Sequence, residues 1–132
     1  MLKKIDHIAI AVSSVDDALK VFEQVFGLKC EHKEVIPDQK VKAATVRIGD
    51  TNIEFIEPTD PESGVAKFME KKGEGIHHIC VEVADIDTEL KALEAKGVAL
   101  IDKQARKGLA GRIAFVHPKS TKGVLMELVQ KV

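Results

Sequence analysis

Apolar and polar positions alternate with a period of two through Ile5-Asp6-His7-Ile8-Ala9-Ile10-Ala11-Val12. A matching order returns in Ile76-His77-His78-Ile79-Cys80-Val81-Glu82-Val83. A period of two is the mark of a half-buried strand. In the first segment Ile8, Ile10 and Val12 share one face and His7 looks to the other; in the second, Ile79, Val81 and Val83 oppose His78. Each segment runs straight into a helix signal. Ser14 is placed to cap the first helix, with Asp17 three residues on. Val15, Ala18, Leu19, Phe22 and Phe26 then fall on one stripe, and Gly27 follows where a C-terminal cap glycine belongs. Asp85 is placed to cap the second helix, Ile86, Leu90 and Leu93 form its stripe, and Gly97 ends it.

Three strand-like runs follow each helix. They cover 28–35, 41–49 and 51–57 in the first half, with Gly49-Asp50 as a tight hairpin turn, and 98–103, 111–117 and 123–130 in the second. The expected fold class is therefore α+β, built from two βαβββ modules. The first spans 1–58 and the second 76–132. The connector 59–75 holds a short helix from Val65 to Lys71, and the whole forms one domain.

The repeat also relates polar residues. His7 and His78 hold the same place in the first strand of each half. In the last strand, Asn52-Ile53-Glu54-Phe55-Ile56 matches Leu125-Met126-Glu127-Leu128-Val129, which equates Glu54 with Glu127. A lone strand histidine is more often a hydrogen-bonded core residue, and a lone strand glutamate is more often solvated. One His and one Glu repeated at equivalent places are better explained by shared chemistry. Glu54 and Glu127 lie between large apolar neighbours, and a carboxylate in such surroundings needs a partner or a metal ion. Two neutral imidazoles and two carboxylates make a charge-neutral set for one divalent ion. Without thiolates, the set suits Co²⁺, Mn²⁺, Ni²⁺, Zn²⁺ or Fe²⁺. His77 faces away from His78 and is read as structural. His32 falls in a charged run, His117-Pro118-Lys119-Ser120 forms a turn that could receive an anion, and the glycines around 108–111 suggest a loop over a site.

Composition narrows the partners. The 132 residues are 45% hydrophobic and 31% charged, with 20 basic and 21 acidic side chains, so nothing favours nucleic acid or an anionic membrane. No apolar run approaches the roughly 20 residues that span a bilayer. Two cysteines in unrelated surroundings and no signal-like start give a cytoplasmic location with reduced thiols as the expectation.

At these residues the sequence resembles the vicinal oxygen chelate superfamily, whose glyoxalase-like fold pairs βαβββ modules into a cupped mixed sheet. Within it the sequence is most similar to the methylmalonyl-CoA epimerases. The similarity rests on Ile5 to Val12, Pro37-Asp38-Gln39, Gly75-Ile76-His77-His78-Ile79, His117-Pro118-Lys119-Ser120 and Gly123 to Leu128. The resemblance implies a coenzyme A thioester as substrate, and epimerisation at C2 through an enolate stabilised by the metal. It assigns the metal to His7, Glu54, His78 and Glu127, gives Glu127 the role of catalytic base, places cobalt first among the ions, and implies a homodimer. The family's other proposed base, a glutamate shortly after the Pro-x-Gln stretch, corresponds to Ala43, a departure that puts a symmetric two-glutamate mechanism in question. The competing expectations are glyoxalase I acting on a glutathione hemithioacetal, an extradiol dioxygenase, and a non-catalytic binding protein of the same fold.

Overall fold

The structure is a computed structural model that describes residues 2–132. It divides into two compact units, His7–His77 and Met1–Asp6 with His78–Val132. Strand β1 (Leu2–Ala11) begins in the second of these and continues in the first.

In the unit His7–His77 the strand order is β2 (Cys30–Ile36), β3 (Val41–Ile48), β4 (Thr51–Pro58), β1. β2 with β3 and β3 with β4 are antiparallel, whereas β1 and β4 run parallel. Helix α1 (Val15–Phe26) starts where expected, because the Ser14 hydroxyl accepts the Asp17 N–H at 3.1 Å, and it ends at left-handed Gly27. Alternation along the strands sends Ile10, Val12, Ala44, Val46, Ile53 and Phe55 beneath Val15, Ala18, Leu19 and Phe22 of α1. The rings of Phe22 and Phe55 meet edge-on at 4.8 Å. Phe26 belongs to the apolar stripe by spacing, yet it is 68% exposed and leans on Phe22. The stripe reaches the core through the first two turns of the helix.

The opposite face carries Ala9, Ala11, Ala43 and Ile56, covered by Val65, Phe68 and Met69. Those three belong to helix α2 (Gly64–Lys72), capped by Ser63. The segment expected to be a connector is thus part of this unit's core, because its helix supplies the apolar cover for one face of the sheet.

In the other unit the order is β5 (Gly75–Val83), β8 (Met126–Lys131), β7 (Gly111–Val116), β6 (Arg106–Lys107); β5 enters from the first unit at His77. β5 and β8 are parallel, and the remaining pairs are antiparallel. Helix α3 (Ile86–Ala95), capped by Asp85, lays Ile86, Leu90 and Leu93 on Ile79, Val81, Val83, Ala114, Met126 and Leu128. Cys80, Ile113, Phe115 and Val129 pack on the reverse face.

Two strand expectations change here. Residues 98–103 form no strand and contribute a single bridge, Leu100 to Val116. The Asp102 carboxylate takes the Phe115 N–H at 2.9 Å, while the Ile101 and Asp102 N–H groups both go to the Phe115 carbonyl. A side chain that competes for ladder hydrogen bonds ends the ladder. The last strand starts at Met126 rather than 123, because a turn closed by Thr121 and built on left-handed Lys122 and Gly123 occupies the preceding residues.

Gly111 is required at its position. It has φ +156°, and a Cβ there would overlap the Gln130 carbonyl oxygen on β8. Gly111→Ala is expected to destabilise the protein by about 1–3 kcal/mol. A urea midpoint matching wild type would contradict this close approach.

Candidate metal centre

The parallel ladders put the repeated His and Glu in equivalent geometry. In the first unit Ala9 of β1 pairs with Glu54 of β4, and His7 lies two residues before Ala9 on the same face. In the second unit Cys80 of β5 pairs with Glu127 of β8, and His78 lies two residues before Cys80. Each His therefore stands diagonally across from its Glu on the neighbouring strand, within reach of a long side chain. In the second unit the diagonal is closed. His78 Nε2 lies 3.1 Å from Glu127 Oε1, and the two residues are 8% and 7% exposed. The Phe115 ring meets the His78 ring edge-on at 5.5 Å and limits how it turns. In the first unit Glu54 and His7 are half-buried on the face that also carries Ala9, Ala43 and Ile56.

Ala43 is on this face by register, paired with Ile56, and its methyl is buried against the α2 cover. Lys42 beside it turns to the other face, where it meets Asp16 at 3.4 Å. The place where the family resemblance asks for a second carboxylate therefore holds a methyl group.

The other histidines have structural partners. His77 packs edge-on against Phe68 at 4.9 Å, and exposed His32 meets Glu34 at 3.0 Å. His117 Nδ1 accepts the Lys119 N–H at 3.0 Å, and the Ser120 hydroxyl accepts the Ala99 N–H at 2.9 Å, so this turn uses its polar atoms to hold itself together.

Two features escape a reading of sequence pattern. Asp6 is 7% exposed and meets Lys131 Nζ at 2.5 Å; Lys131 in turn lies 3.9 Å from Glu82, which Lys3 meets at 3.2 Å. The Asp6 carboxylate, accepting from the ammonium, holds the Lys131 pKa above its usual value. The signal was the charge immediately before His7 in an otherwise apolar strand. The second feature is a pocket of about 460 Å³ walled by residues 105–109, 111, 112 and 130–132. Arg106, Lys107, Arg112 and Lys131 make its rim basic. Arg112 is held by a bidentate pair with Asp87 at 2.8 Å, and Arg106 meets Asp102 through Nε at 3.1 Å while lying over the Phe115 ring. Lys107 has no ion pair among the described residues. Phe115 thus touches both a wall of the pocket and His78. Gly108 and Gly111 form part of that wall.

The donor set fits a divalent ion. It is all nitrogen and oxygen, and one imidazole and one carboxylate are already buried together at hydrogen-bond distance.

Residues 6–115 match the family model of the glyoxalase/bleomycin resistance protein/dioxygenase superfamily. A Bacillus subtilis (strain 168) protein, YqjC, is 42% identical over 98% of this chain and 93% of its own length. The mitochondrial methylmalonyl-CoA epimerase of Homo sapiens is 32% identical over 98% of this chain and 74% of its length. The solved structure of a methylmalonyl-CoA epimerase in complex with methylmalonyl-CoA and NH4+ superposes with a TM-score of 0.93 at 37% identity, covering 100% of this chain and 96% of that one. A lactoylglutathione lyase of Arabidopsis thaliana is more distant, at 27% identity, and the chain covers 43% of its length.

The Asp6–Lys131 pair has a pH signature. Because the folded-state pKa of Lys131 is raised, its contribution is complete below the unfolded value of about 10.4 and is lost as pH climbs through the folded one. Lys131→Met is expected to be less stable than wild type at pH 8, with the gap narrowing as pH rises from about 10 toward 12. Thermal midpoints across that range test it, and a constant gap would refute the pairing as the cause.

Proposed function

The chain belongs to the glyoxalase/bleomycin resistance protein/dioxygenase superfamily, in its methylmalonyl-CoA epimerase branch, and we propose that it interconverts (2R)- and (2S)-methylmalonyl-CoA by moving the C2 proton. The observation that carries this reading is similarity along essentially the whole chain to epimerases, one of them solved with methylmalonyl-CoA bound. The buried His78–Glu127 pair supports it at the level of chemistry.

In this proposal His7, Glu54, His78 and Glu127 hold one divalent ion, cobalt, manganese, nickel and zinc all being suited to the set. Such an ion would supply Lewis-acid stabilisation of the negative charge that develops on the thioester oxygen as C2 loses its proton. The side chains do the rest. Glu127 takes the C2 proton, a general-base role that typically contributes about 10²–10⁴-fold to rate. Phe115 limits the motion of His78 and shields one side of the pair from water. In this reading each half contributes one His and one Glu. Ala43 offers no proton, so the proton that returns to C2 comes from a group other than this position. The basic pocket suits the anionic part of a coenzyme A thioester, whose phosphates carry the charge that Lys107 and its neighbours complement.

Incubation of purified, Co²⁺-loaded protein with methylmalonyl-CoA in deuterium oxide tests the assignment. Incorporation of deuterium at C2 with loss of stereochemical purity is expected. Turnover of a glutathione hemithioacetal without epimerisation would overturn it in favour of glyoxalase chemistry. Glu127→Gln is expected to slow C2 exchange by at least about 100-fold; exchange at the wild-type rate removes Glu127 from the base role. His7→Ala is expected to weaken metal binding by more than about 100-fold, beyond what loss of a supporting contact causes, as measured by calorimetry.

A further inference from the structure

Asn52 carries a polar atom that the fold does not use. Its side-chain oxygen Oδ1 is fully buried and accepts no hydrogen bond among the described residues. Buried polar atoms are nearly always paired, so an orphan of this kind asks for an explanation such as an ion, a water or a function. Its position is specific. Asn52 lies on β4 directly opposite His7 on β1, and on the same face as Glu54 two residues further on. On the other flank its partner in β3 is Arg47, whose Nε–H goes to the Gly49 carbonyl at 2.9 Å.

Asn52 and Glu54 therefore lie on one face of β4, one directly opposite His7 and the other diagonal to it, separated by roughly 6.6 Å of strand. An imidazole presents two ring nitrogens on different edges. When one gives its lone pair to an ion on the Glu54 side, the other carries the hydrogen and points away from that ion. A metal-bound histidine nearly always donates this second N–H to an oxygen acceptor, which fixes the tautomer and the ring plane. We infer that Asn52 is the positioning residue for His7: its Oδ1 accepts the imidazole N–H and holds the tautomer whose other nitrogen is presented to the ion. The internal repeat supplies a contrast. Leu125 stands at the equivalent place in the second half and offers no side-chain acceptor, and there the histidine ring is held by Phe115 instead. The two halves orient equivalent histidines by different means, one polar and one by packing.

This inference rests on the metal-centre reading, and it makes a prediction of opposite signs. In metal-free protein the orphaned oxygen is a cost, whereas in loaded protein it is a partner. Asn52→Leu, which installs the residue of the other half, is expected to leave the metal-free thermal midpoint unchanged or raised. The same variant is expected to weaken Zn²⁺ affinity, measured by chelator competition, by about 10–100-fold. Asn52→Asp, which keeps an acceptor, is expected to bind Zn²⁺ within a few-fold of wild type. In nitrogen-15 spectra of the Zn²⁺-loaded protein, the His7 ring N–H should be protected from exchange in wild type and lose that protection in Asn52→Leu. Asn52→Leu protein that binds Zn²⁺ within twofold of wild type, or that keeps the protected N–H, overturns the role of Asn52. Wild-type protein that binds no Zn²⁺ overturns the metal centre and this role together, so the two failures are told apart.

Discussion

Everything proposed for the site depends on one backbone constraint, the parallel pairing of the first and last strands within each βαβββ unit. Parallel strands cannot be joined by a tight turn, so a helix and two further strands must intervene. That crossover is what brings residue 7 beside residues 52–54 and residue 78 beside residue 127. Because a strand alternates its faces, a shift of one residue in either ladder would carry the His or the Glu to the side that packs under α1 or α3 and dissolve the arrangement. The apolar alternation under α1 and α3 is therefore also what holds the polar residues in place: Phe55 and Ile53 fix Glu54, and Met126 and Leu128 fix Glu127.

The chemistry draws on the same constraint. Closing the His78–Glu127 diagonal at 3.1 Å, with both residues nearly sealed from water, removes two polar groups from solvent. Such a pair is expensive unless each group finds compensating partners. In the proposed metal centre, a cation held by imidazole and carboxylate would add such compensation. The Asp6–Lys131–Glu82 cluster shows another solution in the same unit, where buried Asp6 and half-buried Glu82 are answered by an ammonium.

Much of this was legible in the sequence because it is written twice. The repeat pointed to one His and one Glu in each half and to both helix caps, since capping and period-two alternation act over a few residues. Less legible were features set by partners distant in sequence. Asp102 ends a strand that its own neighbourhood favours, because its carboxylate reaches Phe115 thirteen residues away. Phe26 fits its helix stripe but lies beyond the core it was expected to join. A helix from Val65 to Lys71 was expected, though not that α2 would roof the face carrying Ala9, Ala43 and Ile56. The basic pocket draws on residues 105–112 and 130–132, and no local pattern links those two stretches.

The brevity of β6 has a consequence outside catalysis. An edge strand with free N–H and C=O groups invites another chain to extend the sheet. Here one outer strand is two residues long and carries Arg106 and Lys107, while the outer strand of the other unit, β2, carries Glu31, His32, Lys33 and Glu34 along an exposed stretch. Both borders are thereby poor templates for strand addition. Short or charged outer strands of this kind help keep neighbouring molecules from zipping together through their backbones.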